Sequence, residues 1–132
     1  MDGVGTLRIV IVDDDEFVRE GMEMTLETAG HRTRSTGNGH EALRWLEAEP
    51  CDLLILDANM PEMDGPQLYR RVLAGRPTVA PRVLFVSGAP AVTGYEDDPD
   101  VRAVPLLVKP FTAHDLFTAV NRALEAQRHV GF

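Results

Sequence analysis

The sequence predicts an α/β fold: a doubly wound, five-stranded parallel sheet with helices on both faces. Five short segments rich in apolar and β-branched residues alternate with amphipathic helical patterns along the chain. Three of those segments are apolar at nearly every position, as a parallel sheet covered on both faces requires. A length of 132 residues, against roughly 150 for an average domain, leaves room for one such unit and no separate catalytic or DNA-binding module. The expected domain is 1–132, with a core of about 7–127 and a short tail at each end. Right-handed crossovers turn βα repeated five times into a doubly wound sheet.

The strands are expected at 7–12 (LRIVIV), 32–36 (RTRST, the weakest), 53–56 (LLIL), 83–86 (VLFV) and 104–108 (VPLLV). The first helix follows Asp15, a good N-cap. It carries Phe17, Val18, Met22, Leu26 and Ala29 at three- and four-residue spacing and stops at Gly30, the usual residue just past a helix end. The second presents Ala42, Leu43 and Leu46 on one face. The third has Asp64 as N-cap, opens at Pro66, and offers Leu68, Tyr69, Val72 and Leu73 before Gly75. The last opens on Thr112 with Asp115 three residues on, a variant of the capping box, and buries Leu116, Val120, Ala123 and Leu124. Between Ser87 and Val104 the stretch GAPAVTGYEDDPDVRA has two prolines, two glycines and no apolar stripe, so the fourth helix is expected to be short or irregular.

Composition excludes several function classes. Thirteen Lys and Arg against twenty-one Asp and Glu give a net charge of −8, which repels phosphate backbones and anionic lipid. Neither nucleic acid nor membrane is therefore an expected partner. Cys51 is the one cysteine and forms no internal disulfide, which fits a reducing compartment; it reads as a partly buried packing residue. No apolar run approaches the roughly 18 residues of a membrane helix. The amino terminus lacks the basic start and apolar stretch of a secretory signal, so the cytoplasm is the expected location.

Ligands of doubly wound sheets bind beyond the carboxyl ends of the strands. The residues found there are Asp13, Asp14 and Asp15 after the first strand, Asp57 after the third, Ser87 after the fourth and Lys109 after the fifth; the second strand contributes none. Carboxylates gathered at one edge raise one another's pKa unless a cation sits among them. An all-oxygen cluster with few protein ligands suits magnesium, or the similarly hard manganese. With such an ion in place, one carboxylate can act as nucleophile while the Lys109 ammonium and the Ser87 hydroxyl stabilise oxygens of an incoming phosphoryl group. Gly88 is expected to leave that group room at the backbone.

The motifs IVIVDDDE, LILDANMPEMDG, VLFVSG and LVKPF stand in the order and spacing of the receiver domain of two-component response regulators, and the chain resembles that family over essentially its whole length. The resemblance implies the strand order 2-1-3-4-5. It also implies Asp57 as phosphoacceptor, Asp14 as direct magnesium ligand, Asp13 as a ligand through water and Asn59 as a ligand through its backbone carbonyl. Ser87 fills the hydroxyl position and Lys109 the lysine position, with a cis Lys109-Pro110 peptide. A sensor histidine kinase or phosphotransfer protein is the implied donor. A downstream protein is the implied target, and the face of the fourth helix, fifth strand and fifth helix is the implied route to a homodimer. Such a domain is a switch, catalysing only its own phosphotransfer and slow dephosphorylation.

Two other classes compete. Asp13-Asp14-Asp15 also satisfies the D-x-D motif of a haloacid-dehalogenase-type phosphatase, with Asp13 as nucleophile, but that family expects a cap insertion and does not call for DANMPEMDG. A structural pseudo-receiver would lack the acceptor or the lysine. His40-Glu41-Ala42-Leu43-Arg44 resembles a kinase phosphohistidine helix but lacks the following Thr-Pro. His31, His114 and His129 have no ligand spacing and read as surface residues, and Trp45 as a packing residue. The chain departs from many receivers at Leu106, three before the lysine, where a Tyr or Phe commonly stands. A rotamer switch of an aromatic ring cannot operate there, so the expected readout is a change of order or position in residues 88–103, pulled through Ser87.

Overall fold

The computed structural model describes residues 5–75 and 81–126. Strands β1 (Arg8–Val12), β2 (Arg32–Thr36), β3 (Leu53–Asp57), β4 (Arg82–Ser87) and β5 (Leu106–Val108) alternate with helices α1 (Glu16–Thr28), α2 (Gly39–Ala48), α3 (Gly65–Ala74), α4 (Pro99–Arg102) and α5 (Ala113–Ala126). Every strand pair is parallel and the order is β2-β1-β3-β4-β5. The winding reverses between β1 and β3, and the crevice of such a sheet opens at their carboxyl ends.

Successive strand residues face opposite sides of the sheet, and both sides are apolar. Ile9, Ile11, Leu53, Ile55, Leu84 and Val86 pack with Met22 and Leu26 of α1 and with Leu116 and Val120 of α5. Val10, Val12, Leu54, Leu56, Val83 and Phe85 pack with Ala42, Leu68, Val72 and Val101 of the opposite layer. All five residues of β3 are buried, so the strand that ends in Asp57 is the most enclosed. Phe85 is fully buried and meets the Tyr69 ring edge-on at 6.1 Å between centroids.

Helix starts follow the caps read from the sequence. Asp15 accepts from the Phe17 and Val18 amides, Asp64 and Gln67 form a reciprocal capping box, and Thr112 and Asp115 form another. Gly30 takes φ of 96° just past the end of α1, a conformation a side chain would strain.

Several expectations are corrected. Strand five begins at Leu106: the Val104 amide instead closes the turn after α4 on the Val101 carbonyl at 3.1 Å, and Pro105 has no amide to give the ladder. Phe17 is 78% exposed and Ala29 is exposed, because the inward line of α1 runs through Val18, Met22 and Leu26 at four-residue spacing. Leu73 is likewise rotated outward, beyond the Leu68–Val72 line. His31 is buried, not a surface residue; its Nδ1 accepts the Leu7 amide at 3.1 Å and so closes the start of β1. His40 and His114 are exposed, and His129 lies outside the described residues. Trp45 is half-buried with the Arg34 guanidinium stacked 3.8 Å from its centroid, and Cys51 is buried, its thiol pushed up to about 12 by burial first and by Asp52 second.

The segment between β4 and β5 is short of regular structure, as expected: α4 is a single turn capped by Asp98. It is better packed than its composition suggested. Val101 and Val104 are buried, and Val92 and Tyr95 lie against the core.

Candidate functional site

Four of the strand-end residues converge at one edge of the sheet. Asp13 leaves β1 with its amide on the Thr36 carbonyl at 3.1 Å, so the end of β2 fixes the backbone although it adds no side chain to the cluster. Asp57 ends β3, Ser87 ends β4, and Lys109 follows β5 with its amide on the Ser87 carbonyl at 2.7 Å. Asp13 and Ser87 are fully buried and Asp57 is 5% exposed, whereas Asp14 is exposed.

The Lys109 ammonium lies 2.9 Å from Asp13 Oδ2 and 3.5 Å from Asp57 Oδ2. Asp57 Oδ1 accepts the Asn59 amide at 3.0 Å, and Asp13 Oδ1 accepts the Asp15 amide at 2.9 Å. Ser87 Oγ accepts from the Ala89 amide at 3.0 Å and from Asn59 Nδ2 at 3.4 Å. Lys109 and Pro110 are joined by a cis peptide.

Burial pushes the Asp57 carboxyl up to about 6; the Asn59 amide opposes this, Asp13 adds to it, Lys109 opposes it and Asp14 adds again. Burial alone would lower the Lys109 ammonium, but its hydrogen bond to Asp13 and the charges of Asp13 and Asp57 outweigh it, and its pKa lies above the ordinary value. One ligand oxygen from each of Asp13, Asp14 and Asp57 falls within 4.8 Å of the others. Three carboxylates against one ammonium leave a cluster that carries about two negative charges when fully ionised. The donor set, all oxygen and short of positive charge, fits a hard divalent cation.

Close backbone contacts shape the site further. A Cβ at Gly65 would lie 2.7 Å from the Asp57 carbonyl oxygen, so the loop after β3 closes on its own strand only through a glycine; the Gly65 amide bonds to the Ala58 carbonyl at 3.3 Å. At Gly88, expected to leave the phosphoryl group room at the backbone, an added Cβ meets no protein atom within 4 Å. Arg19, one of several charged residues on α1 in the sequence, reaches back to the Asp13 carbonyl at 2.7 Å. Arg19 carries no local sequence signal, because it acts on backbone brought to it by the tertiary fold.

Residues 9–121 match the response regulator receiver domain family, and the chain belongs to it. It is 35% identical over 119 residues to the response regulator receiver protein CpdR of Brucella abortus (strain 2308), covering 90% of this chain and 98% of that protein. It is 33% identical to the sensor kinase CckA of the same organism, covering 93% of this chain but 13% of that protein. It is 37% identical to the C4-dicarboxylate transport transcriptional regulatory protein DctD of Rhizobium meliloti (strain 1021), of which it spans 26%. The chemotaxis protein CheY4 of Vibrio cholerae superposes with a TM-score of 0.79 at 26% identity, over 91% of this chain and all of that one. The protein is thus a receiver domain of two-component phosphorelay signalling, and its fold and strand order are those the resemblance implied. These similarities give no support to the haloacid dehalogenase alternative. The geometry opposes it too, since Asp13 is fully buried with Oδ1 on the Asp15 amide and Oδ2 on Lys109.

Proposed function

We propose that Asp57 is the phosphoacceptor of this receiver, and that phosphotransfer from a histidine kinase or phosphotransfer protein sets the state of a downstream protein contact. The observation that carries the reading is the Asp57 carboxylate, held at the end of the most buried strand between Lys109 and the Asp13–Asp14 pair. A carboxylate oxygen attacks the donor phosphorus, the phosphorus–nitrogen bond to the donor histidine breaks, and an acyl phosphate forms. Lys109 and Ser87 bind oxygens of the transferred group. Asp13, Asp14, Asp57 and the Asn59 carbonyl are the proposed holders of magnesium or manganese, Asp13 through water; when bound, the ion neutralises charge on the carboxylates and the phosphoryl group. Slow hydrolysis of the acyl phosphate is the only other chemistry assigned to the domain.

The chain 1–132 is read as a single receiver unit working in the cytoplasm through protein contacts, not by binding DNA. No described helix is long and apolar enough to cross a membrane. The face of α4, β5 and α5, where Val108 is 40% exposed, is the proposed surface for the downstream partner or a second copy. Incubation with a small phosphodonor and magnesium is expected to add the mass of one phosphate, labile to hydroxylamine. Full labelling retained in Asp57→Ala would overturn the assignment.

A further inference from the structure

We infer that Arg19 is a positioning residue for the cation site: from α1 it clasps the backbone of the Asp13–Asp14 turn, through a slot that Gly37 keeps open. The inference rests on the proposed function, because it concerns how the same carboxylates are aimed.

Arg19 Nη1 donates to the Asp13 carbonyl at 2.7 Å, and the side chain is half-buried. Among the described residues it forms no ion pair, so its one polar contact is the carbonyl of a site residue. A Cβ at Gly37 would lie 2.9 Å from Arg19 Nη1 and 3.5 Å from both the Asp13 carbonyl oxygen and Asp14 Cα. The guanidinium therefore sits between the turn after β1 and the turn after β2, in space that any side chain at 37 would occupy. Gly37 is not in the left-handed region, so its backbone tolerates a Cβ and the constraint on it is the neighbouring guanidinium.

The peptide units around Asp13 are thus held from two sides, the amide by Thr36 and the carbonyl by Arg19. That carbonyl belongs to the peptide joining Asp13 to Asp14, so holding it narrows the directions in which the Asp14 side chain can leave the chain. The effect matters most for Asp14 because its side chain is exposed and lacks a packed pocket to orient it. The guanidinium charge by itself repels a bound cation, so the contribution assigned to Arg19 is the aim of the Asp13–Asp14 backbone, and Gly37→Ala, which alters no charge, isolates it. Outer residues of this kind set metal affinity by orientation, and their loss typically costs about 10–100-fold.

Three variants of the full chain test the assignment with Mn²⁺ alone as probe, free ion being counted by electron paramagnetic resonance. Arg19→Met keeps the aliphatic stem and loses the donor; Gly37→Ala keeps every charge and pushes the guanidinium off the carbonyl; the third combines both. Each single variant is expected to weaken Mn²⁺ binding by about 10-fold or more, and the double variant to be no weaker than the worse single, because both break one interaction. Thermal unfolding without metal is expected to change little in Gly37→Ala, since only the end of a flexible side chain has to move. Should Arg19→Met not fold, Gly37→Ala gives the reading alone. Unchanged Mn²⁺ affinity in Gly37→Ala, or losses that add in the double variant, overturn the inference. Absence of Mn²⁺ binding by the unaltered protein would instead overturn the proposed function.

Discussion

Replacing Asp57 by Asn should make the metal-free protein more stable, and the gain should depend on pH. The carboxyl titrates at about 6 in the fold against an ordinary 3.8, a difference of roughly two units, and each unit is worth about 1.36 kcal/mol. The ionised side chain therefore costs the fold up to about 3 kcal/mol near neutral pH. Because the folded state holds the proton more tightly, this stabilisation by protonation is fully present below 3.8 and is lost as pH rises through about 6. Asparagine keeps an oxygen for the Asn59 amide and carries no charge; the loss of attraction to Lys109 is softened because the ammonium keeps Asp13 at 2.9 Å. Urea unfolding in chelator at about pH 7.5 should show Asp57→Asn more stable by about 2–3 kcal/mol, with the gap roughly halved at about pH 5. Saturating magnesium should narrow it as well, by stabilising the unaltered protein through mass action. Equal or lower stability of the variant at neutral pH, or a gap that does not move with pH, refutes the argument that burial and like charge strain this carboxylate.

Three further outcomes are expected. His31 has its pKa lowered by burial and its Nδ1 occupied by the Leu7 amide, so the fold takes up its proton less readily than the unfolded chain; melting temperature in an Asp57→Asn background should fall as pH drops below the ordinary 6.5, and His31→Gln should flatten that slope. Gly65→Ala places a methyl group 2.7 Å from the Asp57 carbonyl oxygen with only backbone to yield; urea unfolding should show a loss of about 1–3 kcal/mol, and magnesium affinity should fall with it. Tyr95→Phe removes the hydroxyl that donates to the Asp64 carboxylate at 3.1 Å; hydrogen exchange across residues 88–103 should accelerate while the phosphorylation rate at Asp57 stays unchanged.

The features legible in the sequence are those that topology alone dictates. A run of βα units sends each strand's last residue to one edge, so Asp13, Asp14, Asp57, Ser87 and Lys109 could be gathered without knowledge of any contact. Caps at Asp15, Asp64 and Thr112 were equally readable, because a cap is a local hydrogen bond between residues two or three apart. What escaped depended on rotation or on distant backbone. The outward phase of Phe17 and Leu73 is set by how α1 and α3 settle on the sheet; a tolerant three- and four-residue pattern does not fix it. Burial of His31 depends on an amide 24 positions earlier in the chain, and the glycine at 37 answers to groups on other elements.

The contacts of Ser87 connect the acidic site to the segment between β4 and β5. Leu106 is half-buried against the core and has no ring to exchange for an exposed position, so β5 offers no aromatic rotamer to carry a signal. Ser87 Oγ, by contrast, accepts the Ala89 amide at 3.0 Å. In the proposed reaction that oxygen turns toward a phosphoryl group on Asp57, and the Ala89 amide loses its partner at the first turn of residues 88–103. Farther along, the segment is fastened to α3, by Tyr95 on the Asp64 carboxylate and by the Arg70–Asp98 ion pair, both partly open to solvent. Solvent-exposed pairs of this kind contribute on the order of 1 kcal/mol or less each, comparable to the hydrogen bond lost at Ala89, while Val92, Tyr95 and Val101 keep the segment packed on the core. The segment between β4 and β5 is thus anchored on the core at its few apolar residues and only weakly tied at its polar ones, and its first turn lies within reach of the hydroxyl that the phosphoryl group is expected to recruit.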